Sequence, residues 1–319
     1  MPRLGGAAQL CVGAALQLMT LVAAFGCGGP TSPAQPPEPS VEVLIPHGAT
    51  TIVSLAPSRI FASDVMRSVA LAVMPEDRLV AFRARHGVDL RTLDRLIVAE
   101  YPSDDDASES TTAYVARGPF HAEVVVAEIG NRMSPLESRE DRPVMRRAGH
   151  YLLRRFELLA LGPTTVALTD GPPAFAGRLV ETQRTAQARA DSMETQFSAP
   201  LVLMRHGRPD LPPTGVGLLL ARLEHTVVSF DAVGPALEVD VHLDGAFPPG
   251  AEANFRSLVS SIAESDMGQA LGMDEVEATL TVTATPSAVS MHATVDSQTL
   301  AAGLRALVGA EMDELLDLK

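Results

Sequence analysis

The sequence has very few of the residues on which several common kinds of site depend. It contains two cysteines, Cys11 and Cys27, no tryptophan, and Lys319 as the only lysine among 25 basic residues. A single lysine argues against Schiff-base chemistry, and two cysteines cannot form a zinc site made of cysteines alone. Aromatic residues make up only 4%, so the core must be built from Leu, Val, Ala and Ile.

Basic residues are also scarce relative to acidic ones. Thirty-nine Asp and Glu against 25 Lys and Arg give a formal net charge of −14, which repels phosphate backbones and predicts no binding to nucleic acid. The 319 residues, 46% of them hydrophobic, suffice for one large domain or two ordinary ones with packed cores. No motif points to a cofactor, and none is expected.

The N-terminal residues have the layout of an export signal. Arg3 is the only charged residue before Glu38, and residues 10–24 are mainly apolar. A short basic start, an apolar middle and small residues at the end are typical of a secretory signal. A membrane-spanning helix needs about 20 mainly apolar residues. The tetrapeptide AFGC at residues 24–27 resembles the lipobox of bacterial lipoproteins.

This resemblance implies that residues 1–26 are a signal peptide and that Cys27 becomes the first mature residue. Cys27 would carry a thioether-linked diacylglycerol and an amide-linked acyl chain such as palmitate. Each buried CH₂ contributes about 0.8 kcal/mol, so several chains anchor a protein firmly to a membrane. We therefore expect an exported protein that is lipid-anchored in the bacterial envelope. The resemblance implies the outer rather than the inner membrane, because Gly28 stands where an Asp retains some lipoproteins at the inner membrane. Residues 27–48, rich in proline, are predicted to form the tether.

Beyond residue 49, strand-like and helix-like periodicities alternate and predict an α+β fold with antiparallel sheets covered by helices. Two units, 49–190 and 199–319, each have the order strand, helix, strand, strand, helix, strand, strand, helix, which predicts two copies of one unit. Residues 276–285 are predicted to be a strand, and a hairpin is predicted about Gly234-Pro235. The pattern resembles uncharacterised two-repeat α+β envelope lipoproteins, which implies a non-catalytic role in binding or scaffolding.

A second function stays open because of the segment LVLMRHGRPD at residues 201–210. A strand that ends in Arg205-His206-Gly207 resembles the first motif of the histidine phosphatase family. The resemblance implies that His206 is a phosphate-accepting nucleophile and Arg205 a phosphate ligand. Arg256 would then supply a second clamp and His292 a second histidine. The hairpin about Gly234-Pro235 departs from that family, in which a serine-rich strand end and an arginine-containing helix follow.

Arginines concentrate between residues 132 and 155 in an otherwise acidic chain. The guanidinium group of arginine can donate two parallel hydrogen bonds to a phosphate or a carboxylate. Part of this segment is therefore a candidate site for anionic lipid or an envelope polymer. The candidate residues are Arg146, Arg147, Arg154 and Arg155. Pairing with nearby acidic residues is the alternative interpretation.

No metal site is predicted. Asp104-Asp105-Asp106 lacks the glycine and distal glutamate of a calcium loop and is interpreted as a polar hairpin tip. A third function, carriage of a lipid or another apolar ligand, would need a deep apolar cavity between helices and sheet.

Overall fold

The computed structural model describes residues 38–86, 88–102, 110–132, 150–152, 157–170, 173–186, 197–208 and 216–302. Several predicted features lie outside these residues. They are the lipidation residue Cys27, the loop tip Asp104–Asp106, and the candidate anion-binding residues Arg146, Arg147, Arg154 and Arg155.

The protein has the predicted α+β fold, with antiparallel strand pairs and helices packed on them. Two compact units divide the chain, and their segments alternate along it rather than following one another. The first unit is Met1–Ala49, Ser54–Ser58 and Asp77–Ser198. The second is Thr50–Val53, Arg59–Glu76 and Ala199–Lys319.

The first unit contains one sheet with helices and two short 3-10 turns, Glu42–Leu44 and Leu90–Thr92. Its strands follow the order β1-β2-β3-β6-β5-β4. Its elements are β1 (Thr51–Leu55, divided between the units), α3 (Glu76–His86), β2 (Arg95–Tyr101), β3 (Thr111–Arg117), α4 (Ala122–Arg132), β4 (His150–Leu152), β5 (Glu157–Ala160), β6 (Thr165–Thr169) and α5 (Pro173–Thr185).

The core of the first unit sits around its central strands. In β2 and β3 almost every side chain is buried, including Ile97, Ala99 and Val115, because strands covered on both faces have runs of apolar residues rather than alternation. Tyr101 ends β2 and donates a hydrogen bond from its hydroxyl to the carbonyl of Pro46 at 2.9 Å. Its ring packs edge-on against Phe175 of α5, with ring centroids 4.6 Å apart.

The prediction that the tether extends to residue 48 was wrong. Val41, Val43, Leu44 and Ile45 are buried in the first unit. Glu42 is also buried, and its carboxylate pairs with Arg95 at 2.9 Å. A proline-rich sequence was expected to stay extended. Burial of these four apolar side chains, however, stabilises the folded segment by more free energy than the loss of conformational entropy costs.

The second unit contains a sheet with the strand order β10-β11-β9-β8-β7-β1. The predicted hairpin about Gly234-Pro235 is confirmed, since Val233 pairs with Ala236 and Gly234 adopts a φ of 58°. The elements of this unit after β1 are α1 (Pro57–Ala62, divided between the units), α2 (Asp64–Val73), β7 (Leu201–His206), α6 (Val216–Leu219), β8 (Leu223–Val233), β9 (Ala236–Gly245), α7 (Ala251–Ala263), α8 (Asp266–Ala270), α9 (Met273–Thr279), β10 (Thr281–Ala284) and β11 (Ala288–Asp296).

Helix α7 covers one face of this sheet. Phe255 on α7 packs with Leu243 of β9 and Val289 of β11, and Phe247 meets Phe255 edge-on with ring centroids 5.9 Å apart. Leu243 and Val289 are opposite each other in the strand register, so their side chains point to the same face. The alternate residues of the same strands must therefore point away from α7.

The predicted strand over 276–285 begins later than expected. Residues Met273–Thr279 form helix α9, and only Thr281–Ala284 form strand β10. The hydroxyl of Thr279 explains the difference, because it accepts the backbone N–H of Thr294 at 2.9 Å and donates to the Thr294 carbonyl at 3.0 Å. The helix end thus satisfies part of the β11 edge that a longer strand would otherwise pair with.

The two units agree in the order of their strands. In the first unit the strands β1, β2, β3, β6 and β5 lie side by side in that order. In the second unit β7, β8, β9, β11 and β10, which correspond to them one by one along the chain, also lie side by side in that order. Two copies of one unit would produce this agreement, and the duplication itself stays a prediction.

Candidate functional site

The second unit has histidines and carboxylates on the sheet face opposite α7. Every second residue of β9 from Glu238 to Asp244 is charged or a histidine, and alternate residues of a strand share a face. The register places residues of the neighbouring strands beside them. We call this surface the histidine–carboxylate face; its members are His206, His225, Glu238, Asp240, His242, Asp244, Ser290 and His292.

Asp244 lies between two histidines of this face. Its Oδ2 is 3.2 Å from Nδ1 of His225, and its Oδ1 is 3.1 Å from Nε2 of His242. The other ring nitrogen of His242 lies 3.0 Å from the hydroxyl of Ser290. Nε2 of His225 is buried and has no hydrogen-bond partner among the described residues. One carboxylate thus orients two imidazole rings.

His292 has the reverse arrangement, with one histidine between two carboxylates. Its Nδ1 is 2.9 Å from Oδ1 of Asp240, and its Nε2 is 3.5 Å from Oε1 of Glu238. One ligand atom from each of the three residues lies within 4.8 Å of the other two. In the part of the chain that the structure describes, this is the only group of histidine, cysteine and acidic residues arranged closely enough to hold a metal ion.

His206 lies at the end of β7, with its ring stacked on that of His225 at a centroid distance of 4.7 Å. Burial lowers the pKa of His206 below its ordinary value, and the neighbouring His225 lowers it further because two positive rings would repel. Its backbone N–H donates to the carbonyl of Thr50 at 2.8 Å, and Gly207 follows with a φ of 82°. The strand terminus is therefore fixed by β1 and by a glycine turn.

The structure does not bring the four residues of the phosphatase alternative together. Arg205 precedes His206 in β7 and so points to the other face of the sheet. Arg256 lies on α7, where it pairs with Glu252 and donates to the Leu280 carbonyl. His292 shares the face of His206 but lies on β11, from which β7 is separated by β9 and β8.

A groove of about 510 Å³ lies between α6 and α7. Leu218, Leu219, Pro248 and Leu258 supply its apolar lining, and its polar lining is Asn254, Ser257 and Ser261. Leu218 is 63% exposed, which is unusual for a leucine beside a well-packed helix. The groove is open to solvent, unlike the deep cavity between helices and sheet that the carrier hypothesis required.

No helix in the described ranges combines the length and the apolar character that crossing a membrane requires.

Sequence reasoning missed the histidine–carboxylate face. His292 and Asp240 are 52 residues apart, and only the pairing of β11 with β9 joins them. The signal that could have revealed the face was the alternation Glu238-x-Asp240-x-His242-x-Asp244 within a single strand. Charge repeated at every second position predicts that these side chains share the solvated face of the sheet.

Comparisons with known proteins leave the family open. No protein-family model matches the chain, and no curated protein matches its sequence. Among solved structures, crystal form III of TP0453 aligns with 84% of this chain and 98% of that one, at 9% identity and a TM-score of 0.49. Crystal form IV aligns with 82% and 95%, at 9% identity and 0.49, and crystal form I with 85% and 98%, at 9% and 0.45. At these scores the likeness carries no argument about function.

Proposed function

We propose that the chain is an exported bacterial lipoprotein whose α+β body binds a ligand or a partner and does not catalyse a reaction. Acyl chains on Cys27 would hold it to the envelope, at the outer membrane rather than the inner one. The observation that carries the proposal is the sequence AFGC at residues 24–27, which follows a basic start and an apolar run and precedes a proline-rich segment.

The position of Glu38 supports a short tether. Its carboxylate accepts hydrogen bonds from the backbone N–H and the hydroxyl of Thr164, and it pairs with Arg117 at 3.2 Å. Glu38 is therefore held on the first unit, and residues 28–37 lie between it and Cys27 in the sequence. Ten residues at about 3.1 Å each reach about 30 Å in an extended proline-rich conformation.

Metabolic labelling with palmitate tests the anchor. We expect the chain expressed in a bacterial host to incorporate the label and to fractionate with membranes. Cys27→Ser should abolish both, whereas the matched variant Cys11→Ser should retain both because Cys11 would be removed with the signal peptide. A mature protein that starts at another residue, or that lacks acyl mass, contradicts the proposal.

The arrangement about His206 supports a non-catalytic role. Among the described residues, neither Arg205 nor Arg256 reaches the side of the sheet where the His206 ring lies, so neither can grip a phosphate bound to that ring. We expect no hydrolysis of an aryl phosphate by the native chain. Activity that is lost in His206→Ala would instead establish the phosphatase alternative.

A second candidate function is the carriage of an apolar ligand, for which the groove between α6 and α7 offers an open surface rather than the deep cavity that the hypothesis required. The leucines of the groove offer an apolar surface and its serines and asparagine offer polar contacts, which together suit an amphipathic molecule. Displacement of a fluorescent fatty acid measures this function. Leu218→Asn should weaken binding, whereas Val233→Asn, at an exposed valine outside the groove lining, should not. Native mass spectrometry without a bound apolar molecule, together with no probe binding, argues against a carrier.

A further inference from the structure

We propose that Glu238, Asp240 and His292 form a binding site for a divalent cation of the zinc class. The site belongs to the second unit alone, because β9 supplies both carboxylates and β11 supplies the histidine. It does not depend on lipidation of Cys27 or on the groove between α6 and α7.

The register of the strands builds the site. Asp240 is directly opposite His292, and Glu238 occupies the next position of β9 on the same face. Side chains opposite each other in an antiparallel pair start about 5 Å apart, within reach of a shared ion. One ligand atom from each residue lies within 4.8 Å of the other two. Asp240 and Glu238 contact different ring nitrogens of His292, so side-chain rotation must bring one of these nitrogens and an oxygen of each carboxylate to about 2.0–2.2 Å from a common cation.

The charge of the site favours a cation. In the described part of the chain, the carboxylates of Glu238 and Asp240 form ion pairs only with His292, and Glu238 is opposite a further carboxylate, Asp231 of β8, in the strand register. The two carboxylates together carry two negative charges, which a divalent cation bound between them would neutralise.

The position of the carboxylates in the sheet is a second, independent reason. β9 is an internal strand, flanked by β8 and β11, and Asp and Glu are depleted in strands. Two carboxylates at successive positions of one face repel each other without a cation between them. A sequence that breaks local rules in this way is expected at a functional site.

The ligand types select the class of metal. Imidazole nitrogen with carboxylate oxygen suits Zn²⁺, and Co²⁺ as its substitute, better than Ca²⁺ or Mg²⁺, which prefer oxygen alone. The side chains of Asp240 and His292 are 57% and 42% exposed, so ions can reach the site and water can complete the coordination shell. Three protein ligands and an open position are the pattern of an accessible rather than a sealed zinc site.

Calorimetric titration of the full chain, purified in detergent and freed of metal by chelation, tests the proposal with zinc chloride as the probe. We expect one zinc ion to bind per chain. Asp240→Asn and His292→Gln should each weaken binding by at least about tenfold. Visible absorption of the Co²⁺ form should change in both variants.

The matched control is Asp244→Asn, on the same strand and the same face but outside the three ligands. It should leave zinc affinity unchanged, and circular dichroism should show all three variants folded. No zinc binding by the native chain overturns the proposal. Full zinc affinity in Asp240→Asn and His292→Gln also overturns it, because binding would then come from surface histidines elsewhere. An equal loss of affinity in Asp244→Asn overturns it as well.

Discussion

The carboxylate of Glu38 lies against Thr164, from which it accepts the backbone N–H at 2.7 Å and the hydroxyl at 2.8 Å. These two residues are 126 positions apart, and the contact fixes Glu38 on the first unit. Thr165 adds a third hydrogen bond at 2.8 Å. An N-terminal segment held by hydrogen bonds to a charged group has a defined direction of entry into the fold.

Glu38→Gln should destabilise the first unit by about 1–3 kcal/mol, the usual range for hydrogen bonds to a charged group. Burial alone would raise the pKa of Glu38, but the hydrogen bonds from Thr164 and Thr165, with the charge of Arg117, hold it below its ordinary value. This stabilisation is therefore present above the pKa of an unfolded glutamate and is lost as the pH falls through the lower folded value.

Urea denaturation at a series of pH values measures both effects. The matched control is Glu181→Gln, which removes an exposed carboxylate from an i,i+3 pair with Arg184 and should cost less than about 0.5 kcal/mol. Equal effects of the two substitutions would show that Glu38 is not held as described.

Glu42→Gln should destabilise the protein more strongly than the same substitution in an exposed ion pair would. Glu42 is 4% exposed, its partner Arg95 is largely buried, and their closest atoms are 2.9 Å apart. Removing one partner of a buried pair leaves the other charge uncompensated, at a cost of about 3–5 kcal/mol. Replacement of both residues by apolar ones of similar volume should recover most of the loss in thermal denaturation, and failure to recover it would contradict this explanation.

Two glycine substitutions should have opposite effects on stability. A methyl group on Gly245 would lie 2.5 Å from the carbonyl oxygen of Arg222, so Gly245→Ala must shift the backbone beside Asp244 and should cost about 1–3 kcal/mol. Gly177 lies within helix α5 with nothing within 4 Å of the added methyl, so Gly177→Ala should stabilise by about 0.5–1 kcal/mol. Thermal denaturation compares the two, and stabilisation by Gly245→Ala would show that the close approach is absent.

The ring of His206 should titrate below 6.5, its ordinary value, because burial and then the charge of His225 disfavour its protonated form. A histidine with a lowered pKa makes the folded state less stable as the pH falls below the unfolded value, since the unfolded chain then binds the proton more readily. Chemical shifts of the imidazole carbons across a pH series measure the midpoint. In His225→Ala the midpoint of His206 should rise, and an unchanged midpoint would exclude a role for His225.

Local patterns predicted those elements that local chemistry determines. Gly234-Pro235 predicted the β8–β9 hairpin, in which Val233 pairs with Ala236. Prediction failed where a distant residue decides the outcome. The placement of Glu38 on the first unit depends on Thr164, and the end of α9 depends on Thr294, neither of which is near its partner in sequence.

The candidate site shows the same limit. Alternation along β9 places Glu238, Asp240, His242 and Asp244 on one face, and this much is visible in the sequence. Which histidines join them depends on which strands neighbour β9, and the chain order gives no direct sign that β11 does. The resemblance of Arg205-His206-Gly207 to a phosphatase motif rests on residues that are adjacent in the sequence. The side chains of adjacent residues in a strand point to opposite faces of the sheet.

The alternation of the two units along the chain limits how the protein can be cut. A single break after residue 198 would leave Thr50–Val53 and Arg59–Glu76 on the wrong fragment, so the C-terminal piece would lack a strand partner of β7 and the helix α2. The N-terminal fragment would contain all segments of the first unit, whereas the C-terminal fragment would be an incomplete second unit and should be insoluble when it is expressed alone. Dissection of this protein therefore requires circular permutation or co-expression of complementary fragments rather than simple deletion.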